Sequence, residues 1–430
     1  MIVNRRHLGL SLLYVTALSW IYLTEIVPHW SYMGFKGTFS FAGLAMCIAM
    51  TTITAVFVPR SRDTRMAVLA SMHYLFILPT AVYLSYSSPQ LDRYFSFGIL
   101  WVGFTFFSAL QMKSLSITPL SIKYILFIVF GAIIGAVGIQ AAFGGLQYFN
   151  LDIERVYEFR REAASSLPMI FGYLYSNVAS VLVPLALVLS IRFRAYWLVA
   201  LALGCTVLLF GMTHHKSVLF GPPAAALLYV FFSRMKKPEM IGIFFMAIPI
   251  VCIAELLYLR VFIDMDTAGY INSLLARRML FVPAMLDTLY IDYFSLHEKY
   301  YWSSSRLGSW AGENPHGVAA PFLIGSEYFS DNDMSANAGV IGGGYANAGL
   351  LGVAIYSIIS GLLVAMLNAF GRRAGHALVT AVSLATVFNI LTTTDLVTAF
   401  LTHGLLLLVL VLALFPDPVG RRPMAAGAAA

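Results

Sequence analysis

Apolar residues run for about twenty positions at a time, and short polar breaks separate one run from the next. The runs cover residues 8–27, 39–58, 66–86, 94–110, 122–143, 168–190, 195–212, 217–232, 240–262, 340–368, 375–391 and 396–415. An α-helix of about twenty apolar residues crosses a bilayer, so the pattern predicts an all-α polytopic membrane protein with about twelve transmembrane helices. Three places read less cleanly. They are 94–110, the short 217–232 with its Gly221-Pro222-Pro223, and the final pair, split only at Thr392-Thr393-Thr394-Asp395. The first run follows Asn4-Arg5-Arg6, but it is long for a signal peptide and lacks a small-residue cleavage pattern, so it reads as the first span. Two polar stretches exceed ordinary connections, a smaller one at 144–167 and a larger one at 263–337. Long loops in a compact fold are where binding and chemistry concentrate.

Composition narrows the class. Hydrophobic residues fill 60% of the 430 positions, charged residues 11%, and the mean hydropathy is +0.81. A soluble domain carries about 25% charge, so a soluble multi-domain chain is excluded. The net charge of +7 would point to nucleic acid in a soluble protein. Here the cations sit in short breaks between runs. Threading the runs in alternation puts Arg5, Arg6, Arg60, Arg62, Arg65, Lys113, Lys123, Arg192, Arg194, Arg234, Lys236, Lys237, Arg372, Arg373, Arg421 and Arg422 on one side. The short connections opposite hold few cations, among them Lys36, Arg93 and Lys216. The positive-inside rule then predicts both termini in the cytoplasm and both long loops outside. Cys47, Cys205 and Cys252 all lie within apolar runs and read as core residues, not as a disulfide or metal framework.

The smaller loop opens Gly144-Gly145 and continues with Asp152, Glu154, Arg155, Glu158, Arg160, Arg161 and Glu162 at helical spacing. It reads as a solvated interfacial helix, with Arg160 and Arg161 as candidates for an anionic ligand. In the larger loop, residues 274–294 form an amphipathic segment too charged to span comfortably. Leu280, Pro283, Ala284, Asp287 and Ile291 share one stripe, and Pro283 is expected to kink or start the helix. Such a segment lies on the membrane surface or lines a groove. Arg277-Arg278 at its start run against the topological trend. Phosphate recognition explains them, because guanidinium offers a fixed donor fork that keeps its charge. His297-Glu298-Lys299-Tyr300-Tyr301-Trp302 suits stacking on sugar faces or anchoring at the interface. Glu313-Asn314-Pro315-His316-Gly317 and Gly325-Ser326-Glu327-Tyr328-Phe329 follow. A glycine-rich run, 342–352, then enters the next span and reads as a close-packing surface, since it lacks the P-loop Lys and Ser/Thr.

The sequence Arg278-Met279-Leu280-Phe281-Val282-Pro283, then Tyr290-x-x-Tyr293-Phe294, then Gly325-x-Glu327-Tyr328-Phe329, then Gly344-Tyr345-Ala346-Asn347-x-Gly349-x-x-Gly352 resembles the Wzy-type O-antigen, or oligosaccharide repeat-unit, polymerases. The resemblance covers residues 277–373 and the layout of many spans with two large outer loops. Some members carry Arg and Gly eleven positions apart in each such loop, as do Arg161 with Gly172 and Arg306 with Gly317 here. The resemblance implies an undecaprenyl-pyrophosphate-linked oligosaccharide substrate, a GT-C-like glycosyltransferase fold and a place in the bacterial inner membrane. A flippase and a chain-length regulator are the implied partners, and no cofactor is implied.

The implied reaction joins a glycan carried on lipid pyrophosphate to an acceptor hydroxyl. Arg277, Arg278, Arg306, Arg160 and Arg161 are the candidates for the leaving pyrophosphate, and Tyr290 and Tyr293 for the glycan. A base must take the hydroxyl proton; His316 leads, followed by Glu313, Glu327 and Asp287. Asp264-x-Asp266 and Asp331-x-Asp333 are acidic pairs of the kind that hold Mg or Mn, but such pairs are common in polar loops, and the reading is metal-independent. His214-His215 lacks a third ligand nearby. Glu25, near the outer end of the first span, faces the site or a partner. Rival readings are a polysaccharide ligase, a lipid-linked oligosaccharide flippase or transporter, and a structural subunit. Spans almost free of charge favour an enzyme over a transporter.

Overall fold

The computed structural model describes residues 5–87, 90–115, 117–152, 175–264, 267–304, 312–401 and 403–416. The principal helices are α1 (Arg5–Met33), α2 (Phe41–Phe57), α3 (Thr64–Tyr86), α4 (Leu91–Phe107), α5 (Ile122–Ala142), α6 (Tyr175–Arg192), α7 (Tyr196–Thr213) and α8 (Lys216–Arg234). They continue with α9 (Met240–Phe262), α10 (Asn272–Leu296), α11 (Ala320–Phe329), α12 (Val340–Ala374), α13 (His376–Thr392), α14 (Leu396–Leu401) and α15 (Leu405–Ala413). Among the described residues, nine helices are long and apolar enough to cross a bilayer. The chain is a helical, polytopic membrane protein. Among the described residues every predicted apolar run holds helix, but the helices differ in length. α2, α4 and α13 have 17 residues each, and the last run is divided into pieces of six and nine. α8 is continuous through Pro222 and Pro223.

The chain divides into two compact units. The first comprises Met1–Gln111, Arg234–Ala365 and Leu384–His403. Its centre is α3, where residues 66–86 are buried without a break. Asp63 starts that helix by accepting the Met66 N–H at 2.9 Å, an N-cap contact. Arg65, in the same first turn, donates to Ser108 Oγ and to the Thr105 carbonyl at 3.1 and 3.2 Å, closing the C-terminus of α4.

Among the described residues, four helices contain a widened π turn, and each turn ends two residues before a proline. The pairs are Tyr22–Ile26 with Pro28, His73–Ile77 with Pro79, Val178–Leu182 with Pro184, and Asn272–Phe281 with Pro283. Proline lacks an N–H and its ring crowds the carbonyl four residues back. Widening the preceding turn makes room for the ring and lets the helix continue. Pro283 therefore neither starts nor ends α10; the helix passes through it. At Pro28 the orphaned carbonyl is that of Thr24, which Arg260 Nη2 approaches at 3.4 Å.

α10 qualifies as a span by length and composition, and its contacts run from the middle of α9 and α3 to the end of α3 and the start of α4. Its first turn is held by Glu255 near the end of α9, which accepts the N–H groups of Ile271 and Asn272 at 2.7 and 2.6 Å. Phe281 meets Tyr22 of α1, with ring centroids 5.0 Å apart. Thr288 meets Tyr83 near the end of α3, with their hydroxyls 3.3 Å apart. Asp292 pairs with Arg93 at the start of α4, Oδ1 lying 3.0 Å from Nε. The ends of α1, α3 and α9 and the start of α4 share one side of this unit, as the bond from Thr38 to the Tyr86 carbonyl also shows. α10, about 37 Å long, caps that side. The predicted amphipathic stripe is real and faces inward: Leu280, Pro283, Ala284, Asp287 and Ile291 are all buried.

α12 breaks at Ala348 (φ −152°, ψ 29°) and Gly349 (φ 60°, ψ −144°). The break frees the carbonyls of Ala346 and Asn347. Backbone N–H groups of Tyr300 and Tyr301 fill both at 2.9 Å. The two pieces of helix touch where a Cβ on Gly352 would collide with the Gly344 carbonyl, so the glycine run serves close approach. Tyr356 then donates to Asp395 Oδ2 and accepts from Trp302 Nε1, each at 3.0 Å, tying this segment to the start of α14.

The second unit comprises Met112–Ser233, Met366–Ser383 and Gly404–Ala430. Its cations close helix ends. Arg192 donates to the Ala374 carbonyl, and Arg373 donates to those of Leu115 and Ala413 at 3.1 and 3.3 Å. Lys and Arg at helix C-termini meet the negative end of the helix dipole. The positive-inside cations thus have local partners as well as a topological role. His214, in the left-handed conformation after α7, places Nε2 2.9 Å from the Tyr148 carbonyl. Arg160 and Arg161, with the rest of residues 153–174, lie outside the described residues.

Candidate functional site

The capped side of the first unit carries two polar clusters, one at each end of α10. The first lies where α1, α9 and α10 meet. The π turn forced by Pro28 contains Glu25, whose side chain is turned inward and only 3% exposed. Glu25 Oε1 accepts the Gly269 N–H at 2.7 Å. A Cβ on Gly269 would crowd the Glu255 carboxylate, which would have to shift. Two carboxylates, Glu25 and Glu255, thus hold the chain as it enters α10, where the helix dipole is positive.

One turn beyond Glu25, His29 places Nδ1 2.8 Å from the Glu25 carbonyl and 3.6 Å from the Glu25 carboxylate. Trp30 follows, with its ring centroid 5.6 Å from that of His29. Over the indole lies the guanidinium of Arg277, 4.9 Å from the ring centroid. Arg277 Nη2 also donates to Ser273 Oγ at 2.7 Å, and Nη1 approaches the Met33 sulfur at 3.4 Å. Among the described residues no carboxylate pairs with Arg277. Arg278, the next residue, is exposed. This corner therefore presents a half-buried cation on an aromatic face, a second cation beside it, and a histidine backed by a carboxylate.

The second cluster lies at the other end of α10. Tyr293 stacks on His297 with centroids 3.9 Å apart and planes 9° apart. His316 meets Tyr293 edge-on at 6.1 Å and lies 4.9 Å from the Tyr300 ring. The His316 Nε2 donates to the Glu298 carbonyl at 2.9 Å, so its Nδ1 is the bare nitrogen of the neutral ring. Beneath this cluster, Asp92 accepts from Tyr345 at 2.8 Å and Arg93 holds Asp292. Tyr328 on α11 has its phenol raised by partial burial and then by the Asp292 and Glu327 carboxylates.

The geometry revises several of the roles expected from sequence. Asp287 is fully buried and accepts the Gly342 N–H at 2.9 Å, so it anchors the start of α12 and cannot meet an acceptor hydroxyl. Tyr290 is 2% exposed and donates to the Ala336 carbonyl at 2.8 Å, which makes it core and not a glycan contact. Tyr293 and His316 come together, whereas Glu313 and Glu327 are exposed. Arg306 and Asp266 lie outside the described residues. Asp331 uses Oδ1 to accept the Asp333 N–H at 3.0 Å. Among the described residues no three His, Cys, Asp or Glu side chains converge as metal ligands.

The largest change is one of distance. Tyr293 is sixteen positions beyond Arg277 on one helix, about 24 Å along an α-helical axis, and His316 lies beside Tyr293. The base for glycosyl transfer must stand within a few ångströms of the anomeric carbon that carries the pyrophosphate. Arg277 and His316 cannot serve the same bond. His29 is a further candidate that the sequence does not single out, though a signal is present: Glu25-x-x-x-His29 puts a carboxylate and an imidazole on one helix face. No family model, curated protein or solved structure matches the chain.

Proposed function

We propose that the chain is a membrane glycosyltransferase that joins lipid-pyrophosphate-linked oligosaccharide repeat units into a surface polysaccharide. The observation that carries the reading is Arg277, a half-buried guanidinium lying on Trp30 with no carboxylate partner among the described residues. A buried cation needs an anion, and a guanidinium fork fits phosphate oxygens in pairs. Arg278 adds a second charge. Together they match a pyrophosphate leaving group, whose negative charge grows as its bond to the sugar breaks.

The positive-inside pattern supports an extracytoplasmic capped side. A polyprenyl tail would lie in the bilayer beside α1, and its pyrophosphate would reach the α1–α10 corner. Sugars extending along α10 would meet the Tyr293–His297–His316 rings, which suit stacking on sugar faces. The bond formed joins an acceptor hydroxyl oxygen to the anomeric carbon. The bond broken is from that carbon to the pyrophosphate oxygen, which leaves with the electron pair. Losing one charge-assisted contact costs about 1.5–3 kcal/mol, or roughly tenfold to a hundredfold in rate if felt only in the transition state.

The test is the length distribution of surface polysaccharide in cells lacking the protein, complemented with wild type or Arg277→Ala. Single repeat units in the knockout, and long chains restored by wild type alone, support the reading. Long polymer retained on the lipid carrier would make the chain a ligase. Unchanged chain length would overturn glycosyl transfer altogether.

A further inference from the structure

Glu25 and His29 form a carboxylate–imidazole pair that packing alone does not call for. The pair is built by specific local features. Pro28 widens the turn that holds Glu25, and the freed Thr24 carbonyl is approached by Arg260. Glu25 is locked from the other side by the Gly269 N–H. The His29 Nδ1 contact is a backbone carbonyl, which only accepts. Nδ1 therefore carries the proton of the neutral ring, and Nε2 holds a bare lone pair. The His29 side chain is 16% exposed, open enough for a ligand atom to approach. The Glu25 carboxylate lies 3.6 Å from Nδ1, on the side of the ring away from Nε2.

We propose that His29 Nε2 is the general base of the transfer reaction and that Glu25 is its positioning residue. The inference rests on the glycosyltransferase reading above. In the step, the acceptor hydroxyl gives its proton to Nε2 as its oxygen bonds the anomeric carbon. The carbon–oxygen bond to pyrophosphate breaks, and the electron pair stays on the pyrophosphate beside Arg277. The imidazolium then releases its proton to water. Trp30 contacts both groups, its centroid 5.6 Å from the His29 ring centroid and 4.9 Å from the Arg277 guanidinium carbon. Glu25 lies beside His29; the corner also holds Arg260 against the Thr24 carbonyl, Glu255 against the Ile271 N–H, and Arg277 over Trp30 with Arg278 and Tyr32 near it.

The experiment uses full-length protein in nanodiscs with a lipid-pyrophosphate-linked repeat unit, and follows kcat and KM against pH. His29→Gln is expected to lower kcat about 10²-fold with little change in KM. Glu25→Gln keeps an oxygen for the Gly269 N–H but loses the charge beside His29, so kcat is expected to fall with KM unchanged. Binding of undecaprenyl pyrophosphate by His29→Gln reports that the fold is intact. Wild-type kcat in His29→Gln, with Arg277→Ala impaired, would overturn the base assignment and leave the glycosyltransferase reading standing. Wild-type kcat in Glu25→Gln would overturn the role of Glu25. Failure of wild type to extend any glycan would overturn the function and the base together.

Discussion

The Arg277 guanidinium carbon lies 4.9 Å from the Trp30 ring centroid, and this contact fastens α10 to the end of α1. A cation over an indole gains about 0.5–2 kcal/mol, depending on how far water is excluded. It leaves the edge of the guanidinium fork without a carboxylate partner among the described residues. Arg277→Lys keeps the charge and loses the fork, so binding of polyprenyl pyrophosphate is expected to weaken about tenfold. Trp30→Phe should hold near wild type and Trp30→Ala should not. Isothermal titration of protein in nanodiscs checks all three, and equal affinities across the series would remove the site.

Arg93 and Asp292 form a two-pronged ion pair in which Arg93 is buried and the Asp292 side chain is 25% exposed. Removing one partner leaves the other charge poorly solvated. Arg93→Met should lower stability by about 2 kcal/mol, below the 3–5 kcal/mol of a fully buried pair because Asp292 reaches water. Arg93→Met combined with Asp292→Leu should recover most of that loss. Thermal unfolding in detergent checks it, and a double variant worse than the single one would contradict it.

Pro28 shapes the corner without touching a ligand. Pro28→Ala returns an N–H that can bond the Thr24 carbonyl, displace Arg260 and close the π turn. Removing one residue from the turn rotates Glu25 by about 100° relative to the helix beyond it. The expected outcome is normal yield of folded protein with the Gly269 amide unprotected and transfer activity reduced. Hydrogen exchange at Gly269 and activity per folded molecule are the measurements. Full activity in this variant would show that the turn is packing alone.

Asp395 makes stability depend on pH. Burial holds its carboxyl above the usual carboxylate range, against the Tyr356 hydroxyl and the N–H groups at the start of α14. A carboxyl whose pKa is higher folded than unfolded binds its proton more tightly in the native state. Its stabilising contribution is complete below the unfolded value of about 3.9 and is lost as pH rises through the folded value. Asp395→Asn keeps an acceptor oxygen and has no proton to lose. Wild-type melting temperature should therefore fall relative to the variant as pH rises from about 4, then run parallel above the folded value. A constant difference across the range would contradict the burial.

The helices are legible in the sequence because a bilayer imposes a length and an apolar composition on each span. The capping helix is legible from its stripe of Leu280, Pro283, Ala284, Asp287 and Ile291. That stripe does not say whether it faces a groove or the core, so Asp287 and Tyr290 read as site residues and are packing. Periodicity reports which residues share a face, not what the face meets. The separation of Arg277 from His316 follows from helix rise once residues 272–296 are known to be one continuous helix. Pro283, which in sequence reads as a kink or a start, conceals that continuity. The spacing of Glu25 and His29 puts them on one helix face in the sequence, but it does not say that the π turn aims the carboxylate inward.

Everything proposed for the α1–α10 corner depends on its holding a lipid pyrophosphate. The first measurement is binding of radiolabelled undecaprenyl pyrophosphate to wild type and to Arg277→Ala, with Arg93→Met as a control away from the corner. Saturable binding to wild type and to the control is expected, with binding to Arg277→Ala at least about tenfold weaker. Equal binding to all three proteins, or none to wild type, would contradict a pyrophosphate site at this corner.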